Sequence, residues 1–386
     1  MRILQLLCLL AVTFSAVAQA GDEVPRRRVA VLGFQNLRND PASDWIGAVT
    51  TDVLSTKLAG VSAMLVIERT QVQKILTEQK FSQTDLADNE KALKMGKLLS
   101  AQPVVIGSFA MADKRIRFMA RIVDVESGEV LQAATLAGDE EDVMDLPVKL
   151  AEAVIESLGK KVVIAEGQRR VRETEAPKIS EKEKAQLAEK PTKSQAAFKA
   201  YGQGEDYKAK QQWKEASACF ELATQIDPTY ADAWYGLGWV SDDLGLYDKA
   251  LECYRKAEVL SQAAGNERLL RAIIKDIGIV YSKQGHNDKA LECYEKSLEI
   301  ARRLGDEIGT AKALSCIGSV RREQGHNDKA LECYEKSLEI TRRLGDEATT
   351  AMTLGCIGIV YFKQGDNDKA LECYEKSLEI ARRLGD

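Results

Sequence analysis

A block of sixteen residues near the end of this 386-residue chain recurs almost unchanged and constrains the fold more than any other feature. Gly285 to Ile300 (GHNDKALECYEKSLEI) returns at Gly325, and again at Gly365 with Asp366 in place of His286. The period is 40 residues, and a weaker copy, Asp248 to Tyr254, stands one repeat earlier. A fixed period of this length marks stacked supersecondary units, each of which buries its apolar face only against its neighbours. Function is therefore expected on a surface that the array presents.

Each unit reads as a pair of helices. Gly278 and Ala290 are small where two helices would cross closely, and Tyr281 and Tyr294 are large enough to fill the space beside them. Ala290, Tyr294, Ser297, Leu298, Ala301 and Leu304 form the apolar stripe of the second helix. Glu292–Lys296 and Glu299–Arg303 are i,i+4 pairs in the favourable orientation. Asp288 suits the positive helix start, Arg302 and Arg303 suit its negative end, and Gly305 supplies a stop.

These residues resemble tetratricopeptide repeats. Gly204, Tyr207, Ala216, Phe220, Ala223 and Pro228 stand at that family's spacing, with Ala200 where tryptophan is usual. Trp234, Leu237, Gly238, Ala250, Tyr254 and Ala257 make a second copy. Three longer copies carry Ile277-Gly278 with Tyr294, Ile317-Gly318 with Tyr334, and Ile357-Gly358 with Tyr374. The resemblance implies that the first helices line a concave groove. Tyr235, Trp239, Lys275, Ile279, Ser282, Ser315, Ser319, Arg322, Met352, Ile359 and Phe362 are expected to face it, and some of them to pack between repeats instead. Such a groove suits an extended peptide or helix with an acidic or apolar face. Ile279 stands where a carboxylate clamp would need asparagine. His286 and His326 read as turn residues, and neither a metal nor a cofactor is expected.

The first residues point to export. Arg2, the apolar run Ile3 to Val12 and Ala18-Gln19-Ala20 together form a secretory signal over residues 1–20, too short for a membrane span. Cys8 lacks the small residues that precede a lipidated cysteine. The formal charge of −5 becomes one unit more negative when Arg2 leaves with the signal, so nucleic acid is not an expected partner. The seven cysteines beyond the signal all lie in the array and follow its period. Equivalent positions in stacked helices stand roughly 10 Å apart, beyond the ~7 Å Cα limit for a disulfide. They read as small apolar residues, although an odd number of thiols fits poorly with an oxidising compartment.

Residues 21–165 read as an α/β domain with a mixed sheet. Arg28 to Phe34 is a buried strand, and Ile46, Val49, Val53, Leu54 and Leu58 share one face of the following helix. A strand at Met64 to Ile67, helices at Gln71 to Gln79 and Asn89 to Ser100, and a strand at Val104 to Phe109 come next. Ile116, Phe118, Ala120 and Ile122 then alternate with Arg115, Arg117, Met119 and Arg121, giving one buried and one basic face. Glu126-Ser127-Gly128 turns into Val130 to Leu136, and Val143 to Leu158 closes the domain as a helix. The segments Val29-Ala30-Val31-Leu32, Val66-Ile67-Glu68-Arg69, Gly96-Lys97-Leu98-Leu99, Val105-Ile106-Gly107-Ser108 and Ala120-Arg121-Ile122-Val123 follow in an order similar to the curli-assembly (CsgG-like) family and to the N-terminal domain of TolB-like envelope proteins. That resemblance implies a domain of the bacterial periplasm. The hairpin at Gly128 is tight, with no room for the ~9–11 residues per strand of a membrane-spanning barrel.

Catalysis has little to work with in this domain. It contains neither histidine nor cysteine, which removes the Ser-His-Asp, Cys-His and usual zinc sets, and Gly33 stands alone without a phosphate loop. Glu68-Arg69 reads as an ion pair at a strand end, with a ligand or subunit contact as the alternative. The Arg115, Arg117 and Arg121 face reads as solvated, with an acidic ligand or partner subunit as the alternative. Residues 166–195, rich in charge and carrying Pro177 and Pro191, read as a linker, partly helical. Residues 196–386 hold about five repeats. The sequence stops at Asp386 in register with Asp306 and Asp346 without a polar capping helix, so the expectation is that a partner or another protomer covers the last helix or that the chain is a piece of a longer array. The expected protein is a non-enzymatic periplasmic scaffold that binds protein partners through its groove. Its N-terminal domain or uncapped last repeat would be available for self-association. The alternatives are a subunit of a CsgG-like secretion ring and a hydrolase or nucleotide-binding protein.

Overall fold

A computed structural model describes residues 26–78, 88–158, 160–165, 168–173 and 179–385. The expected export signal lies outside the described residues.

The first domain is built on a five-stranded mixed sheet of order β2-β1-β3-β4-β5. Its strands are β1 (Arg27–Asn36), β2 (Met64–Val66), β3 (Pro103–Ala112), β4 (Arg115–Asp124) and β5 (Val130–Asp139). β1 runs parallel to both β2 and β3, while β3, β4 and β5 form an antiparallel meander. Helices α1 (Asp44–Ala59), α2 (Arg69–Glu78), α3 (Asn89–Leu98) and α4 (Asp145–Ser157) complete it, in the order expected from the residues. Val29 to Phe34 of β1 form a continuous apolar run because both sheet faces are covered. Val29 and Val31 join a core with α1 and α4, whereas Ala30 and Leu32 join a second core with α2 and α3. In β4 the expected alternation holds: Ile116, Phe118, Ala120 and Ile122 are buried, and Arg115 and Arg117 are exposed. Arg121 is drawn to Asn89 Oδ1 at 3.1 Å.

The segment read as a linker carries more structure than its composition suggested. β6 (Lys160–Ala165) and β7 (Gln168–Glu173) pair as an antiparallel hairpin that straddles the expected boundary at 165/166. Helix α5 (Glu181–Ala188) follows, started by a capping box between Ser180 and Glu183. It is pinned to the first domain where Glu183 accepts from Ser62 N at 2.6 Å and Lys57 donates to Gln186 O at 2.7 Å.

Five antiparallel helix pairs make the array. They are α6 (Gln195–Ala209) with α7 (Trp213–Ile226), α8 (Ala231–Asp243) with α9 (Tyr247–Ala263), and α10 (Glu267–Lys283) with α11 (Asn287–Arg303). α12 (Glu307–Glu323) with α13 (Asn327–Arg343), and α14 (Glu347–Gln364) with α15 (Asn367–Gly385), complete it. Gly285, Gly305, Gly325 and Gly345 each end a helix with φ between 61° and 80°, a left-handed stop at every half-period. A Cβ on Gly278 would stand 2.7 Å from Tyr294 Cε1, so only glycine lets the two helices of that unit close on the ring. One sequence expectation fails here. Glu292–Lys296 forms at 2.8 Å, but Arg303 does not turn to Glu299. It reaches Glu267 of the preceding helix at 3.1 Å, as Arg343 reaches Glu307 at 2.7 Å and Arg383 reaches Glu347 at 3.4 Å. The side chain therefore bridges the two helices of one unit instead of stapling its own.

The α/β domain and the array are not separate bodies on a tether. The core under α1 continues without a break through Ala197, Phe198 and Tyr201 of α6 to Phe220, Tyr230 and Leu237. The approach is close: a Cβ on Gly202 would stand 2.8 Å from the Trp45 ring and 3.1 Å from its carbonyl oxygen.

Candidate functional site: a cleft between the α/β domain and the array

The first helices of the repeats face the α/β domain, which reaches them through α1, the start of β1 and the β2–α2 corner. At that corner Glu68 pairs with Lys312 of α12 at 2.6 Å. Arg69 pairs with Glu205 of α6 at 2.7 Å, and Lys208 holds the same carboxylate. Further along, Asp346, which caps α14, accepts from Gln71 Nε2 at 3.0 Å and lies 3.7 Å from the buried Arg28 guanidinium. Arg28 also donates to Leu344 O at 3.0 Å. Glu68-Arg69 is therefore neither a strand-end pair nor a contact with a separate subunit. Each residue bonds a different helix of the same chain's array.

Between these contacts a cavity of about 680 Å³ remains open. α1, the β2–α2 corner and α2 supply Asp52, Thr56, Glu68, Arg69 and Gln73; the array supplies Tyr201, Glu205, Lys208, Trp213, Asp232, Tyr235, Trp239, Arg271 and Lys275 among others. Trp213 and Trp239 pack at 5.6 Å between ring centroids, and Lys208 lies over the Trp239 ring at 5.5 Å. Tyr201 donates to Asp52 at 2.7 Å, and Tyr235 donates to Asp276 at 2.7 Å.

Charge in the cleft is strongly perturbed. The Lys312 ammonium beside Glu68 holds its carboxyl down at about 2 against the opposing effect of burial, with Lys275 and Arg271 assisting. Burial, with the Asp52 charge added, pushes the Asp232 carboxyl up to about 7. Burial also raises Asp52, with Glu205 adding to the rise. Glu205 is lowered even though it is buried, because Lys208 and Arg69 flank it. Lys275 is raised against its burial by Asp276 and Glu68.

Of the expected groove residues, Tyr235, Trp239 and Lys275 come together in this cleft. Ile279 and Ser282 are half-buried farther along α10, Ile279 against the Ala290–Tyr294 core. Ser315 is buried between repeats, 2.8 Å from Ser337 Oγ and 3.4 Å from Thr353 Oγ1. Ser319 bonds Tyr334 Oη at 3.0 Å, and Arg322 is half-buried beside Glu323 at 3.8 Å. Met352, Ile359 and Phe362 are exposed at 56%, 37% and 63%. Asp52, Glu205, Trp213, Asp232 and Arg271 were not foreseen. A signal existed for Glu205: it falls on the stripe Ala197, Tyr201, Gly204, where a carboxylate needs partners, yet those partners come from residues far away in sequence. Among the described residues there is no group of three His, Cys, Asp or Glu placed to hold a metal, and His286 caps α11 with its ring edge-on to Tyr281. The seven cysteines are free thiols. No helix among the described residues is long and apolar enough to cross a membrane.

Family models match both parts of the chain. Models of the tetratricopeptide repeat match residues 229–303, 268–343 and 309–383, and a further repeat model matches 204–240. The family described as curli production assembly/transport component CsgG matches residues 10–120. No curated protein sequence matches the chain. Among solved structures, BtubC (BKLC) from P. vanneervenii aligns at 22% identity and a TM-score of 0.43, over 48% of this chain and 80% of that one. MamA aligns at 23% identity and a TM-score of 0.37, over 47% and 95%. A Rap protein complexed with competence and sporulation factor aligns at 17% identity and a TM-score of 0.45, over 53% and 59%.

Proposed function

We propose that this chain, which carries tetratricopeptide repeats behind an N-terminal CsgG domain, is a non-enzymatic adaptor of the bacterial cell envelope. It is exported to the periplasm and holds protein partners on its array during assembly or export. The repeats support protein binding. The CsgG match and the signal-like first residues support the compartment.

One observation carries the reading of the surface. The α/β domain runs along the array from α6 to the N-terminus of α14, and its α2 also touches α15. Met352, Ile359 and Phe362 on α14 remain exposed. Three large apolar side chains at spacings of seven and three residues lie along one side of a helix, as a docking strip for a partner helix or extended segment requires. They lie at the groove positions of the last repeat.

Envelope cross-linking followed by affinity capture tests this with wild-type protein and the double variant Met352→Glu, Phe362→Glu. Circular dichroism controls for the fold. The adaptor reading expects a partner set that the variant loses while its helicity is unchanged, with the protein recovered in the osmotic-shock fraction. Capture of the same partners by both proteins, or recovery in the cytoplasmic fraction, would overturn it.

A further inference from the structure

A second cavity of about 190 Å³ adjoins the cleft, and the two share Asp52, Thr56 and Asp232. The shared carboxylates are unequally served. Asp52 takes the Tyr201 hydroxyl and has Arg69 at 3.9 Å. Among the described residues Asp232 has no cation within ion-pairing distance, while Glu205 has two. Lys57 also lines the smaller cavity, but its ammonium is held by the backbone carbonyls of Gln186 and Glu189. Tyr230 lines the same cavity at 1% exposure, and its hydroxyl has no hydrogen-bond partner among the described residues. A buried hydroxyl without a partner is costly, so its persistence beside a carboxylate that has no ion-pair partner marks a place where a donor is missing.

The geometry points to a binding site for a primary ammonium group at this junction, with Asp232, Asp52 and the Tyr230 oxygen as acceptors. The larger cavity would take the attached apolar part of a peptide ligand. An ammonium brings three donors and one compact charge, which matches two carboxylates and one hydroxyl better than a planar guanidinium does. Trp239 and Tyr235 supply the wall for a neighbouring apolar side chain, and the volume lies in the range of clefts that enclose short ligands. A bound cation adds to the compensation that Arg69, at 3.9 Å, already gives Asp52. The inference rests on the protein-binding reading only in taking the ligand as a peptide. It lies three repeats away from the Met352–Phe362 strip.

Calorimetry on the full-length protein at pH 8 tests it with three end-defined tripeptide probes. One is blocked at both ends with a central lysine, one has three leucines and a free amino terminus, and one is blocked with a central glutamate. Binding of an amine-bearing probe, lost at least tenfold in Asp232→Asn and absent for the glutamate probe, is expected; which amine binds separates a lysine side chain from a chain terminus. Trp239→Ala should weaken the same probe. Failure of both amines to bind, equal binding of the glutamate probe, or unchanged affinity in Asp232→Asn would overturn the site. Partner capture on the Met352–Phe362 strip is scored separately. Tripeptide binding without capture overturns the adaptor reading alone, and capture without tripeptide binding overturns the cleft alone.

Discussion

Lys312, on the first helix of the fourth repeat, meets Glu68 of the α/β domain at 2.6 Å across a gap of more than two hundred residues in sequence. With Arg69–Glu205 and Arg28–Asp346 it places the α/β domain against the first helices of the repeats. Contacts with the chain's own domain thus run from α6 to the start of α14, and beyond that start Met352, Ile359 and Phe362 leave an apolar strip exposed.

The Glu68 carboxyl lies well below its usual range, at about 2, because Lys312 stabilises its charged form. A depressed carboxyl adds stability above its unfolded pKa and loses it as the pH falls through the folded value. Thermal melts between pH 5 and pH 2 should show the wild type losing an increment that Lys312→Gln lacks throughout. The increment should be about 1 kcal/mol or less, since water reaches part of Glu68 and screens the pair. A constant difference between the two proteins across that range would refute the assignment.

Asp232 has the opposite sign. Its carboxyl is raised to about 7 by burial and by Asp52, with Lys57 and Glu205 also facing it and Tyr201 and Tyr230 nearby. A raised carboxyl contributes stability that is complete below its unfolded pKa near 4 and lost as the pH rises through about 7. Asp232→Asn should therefore gain in melting temperature relative to wild type between pH 5 and pH 8. No change in that difference with pH would show that Asp232 is solvated and ordinary.

Two glycines in the array should respond oppositely to one methyl group. Gly278→Ala places a Cβ 2.7 Å from the Tyr294 ring and 3.1 Å from Cys293 Cβ, and should cost about 1–3 kcal/mol in chemical denaturation. Gly355→Ala meets only Ser377 Oγ at 3.9 Å, so the helix-propensity gain of up to ~1 kcal/mol should emerge as stabilisation. Equal effects at the two sites would contradict the described helix crossing.

Identical sequence does not mean identical burial. Leu338 and Leu378 occupy the same position of two near-verbatim copies, yet Leu338 is 9% exposed against α14 and Leu378 is 50% exposed. Leu338→Ala should cost about 2–4 kcal/mol by cavity formation, and Leu378→Ala less than ~1 kcal/mol. Comparable losses, measured by denaturant melts, would mean that α15 has a cover on this face.

The difference between those two leucines also explains what the residues alone could reveal. Helix positions, left-handed glycine stops and the glycine–tyrosine crossings are local and periodic, so they were legible from the repeat. The mixed sheet was legible because β4 alternates and the apolar run of β1 does not, whereas the strand order was not read from the residues. The cleft was not legible, since Asp52, Glu68, Arg69, Glu205 and Asp232 become neighbours only when the α/β domain closes on the array. Tyr235, Trp239 and Lys275 were set on the first helices by the repeat resemblance, and they line the cleft. Ser315 and Ser319 obey the same spacing but turn to Ser337 and Tyr334, a choice that periodicity does not encode. The Arg303–Glu267 bridge was missed for a related reason: an i,i+4 rule sees one helix, and the side chain found its partner on the preceding one.

The docking of the α/β domain on the array is tested most directly by zero-length carbodiimide cross-linking of dilute monomer, followed by peptide mass spectrometry. At 2.6 Å the Lys312 ammonium and the Glu68 carboxylate need no spacer. The expected product is an intramolecular amide between these two residues, absent in Lys312→Gln. Lys312 linked only to carboxylates of the array, with Glu68 unlinked or joined only between chains, would contradict the arrangement on which the cleft depends.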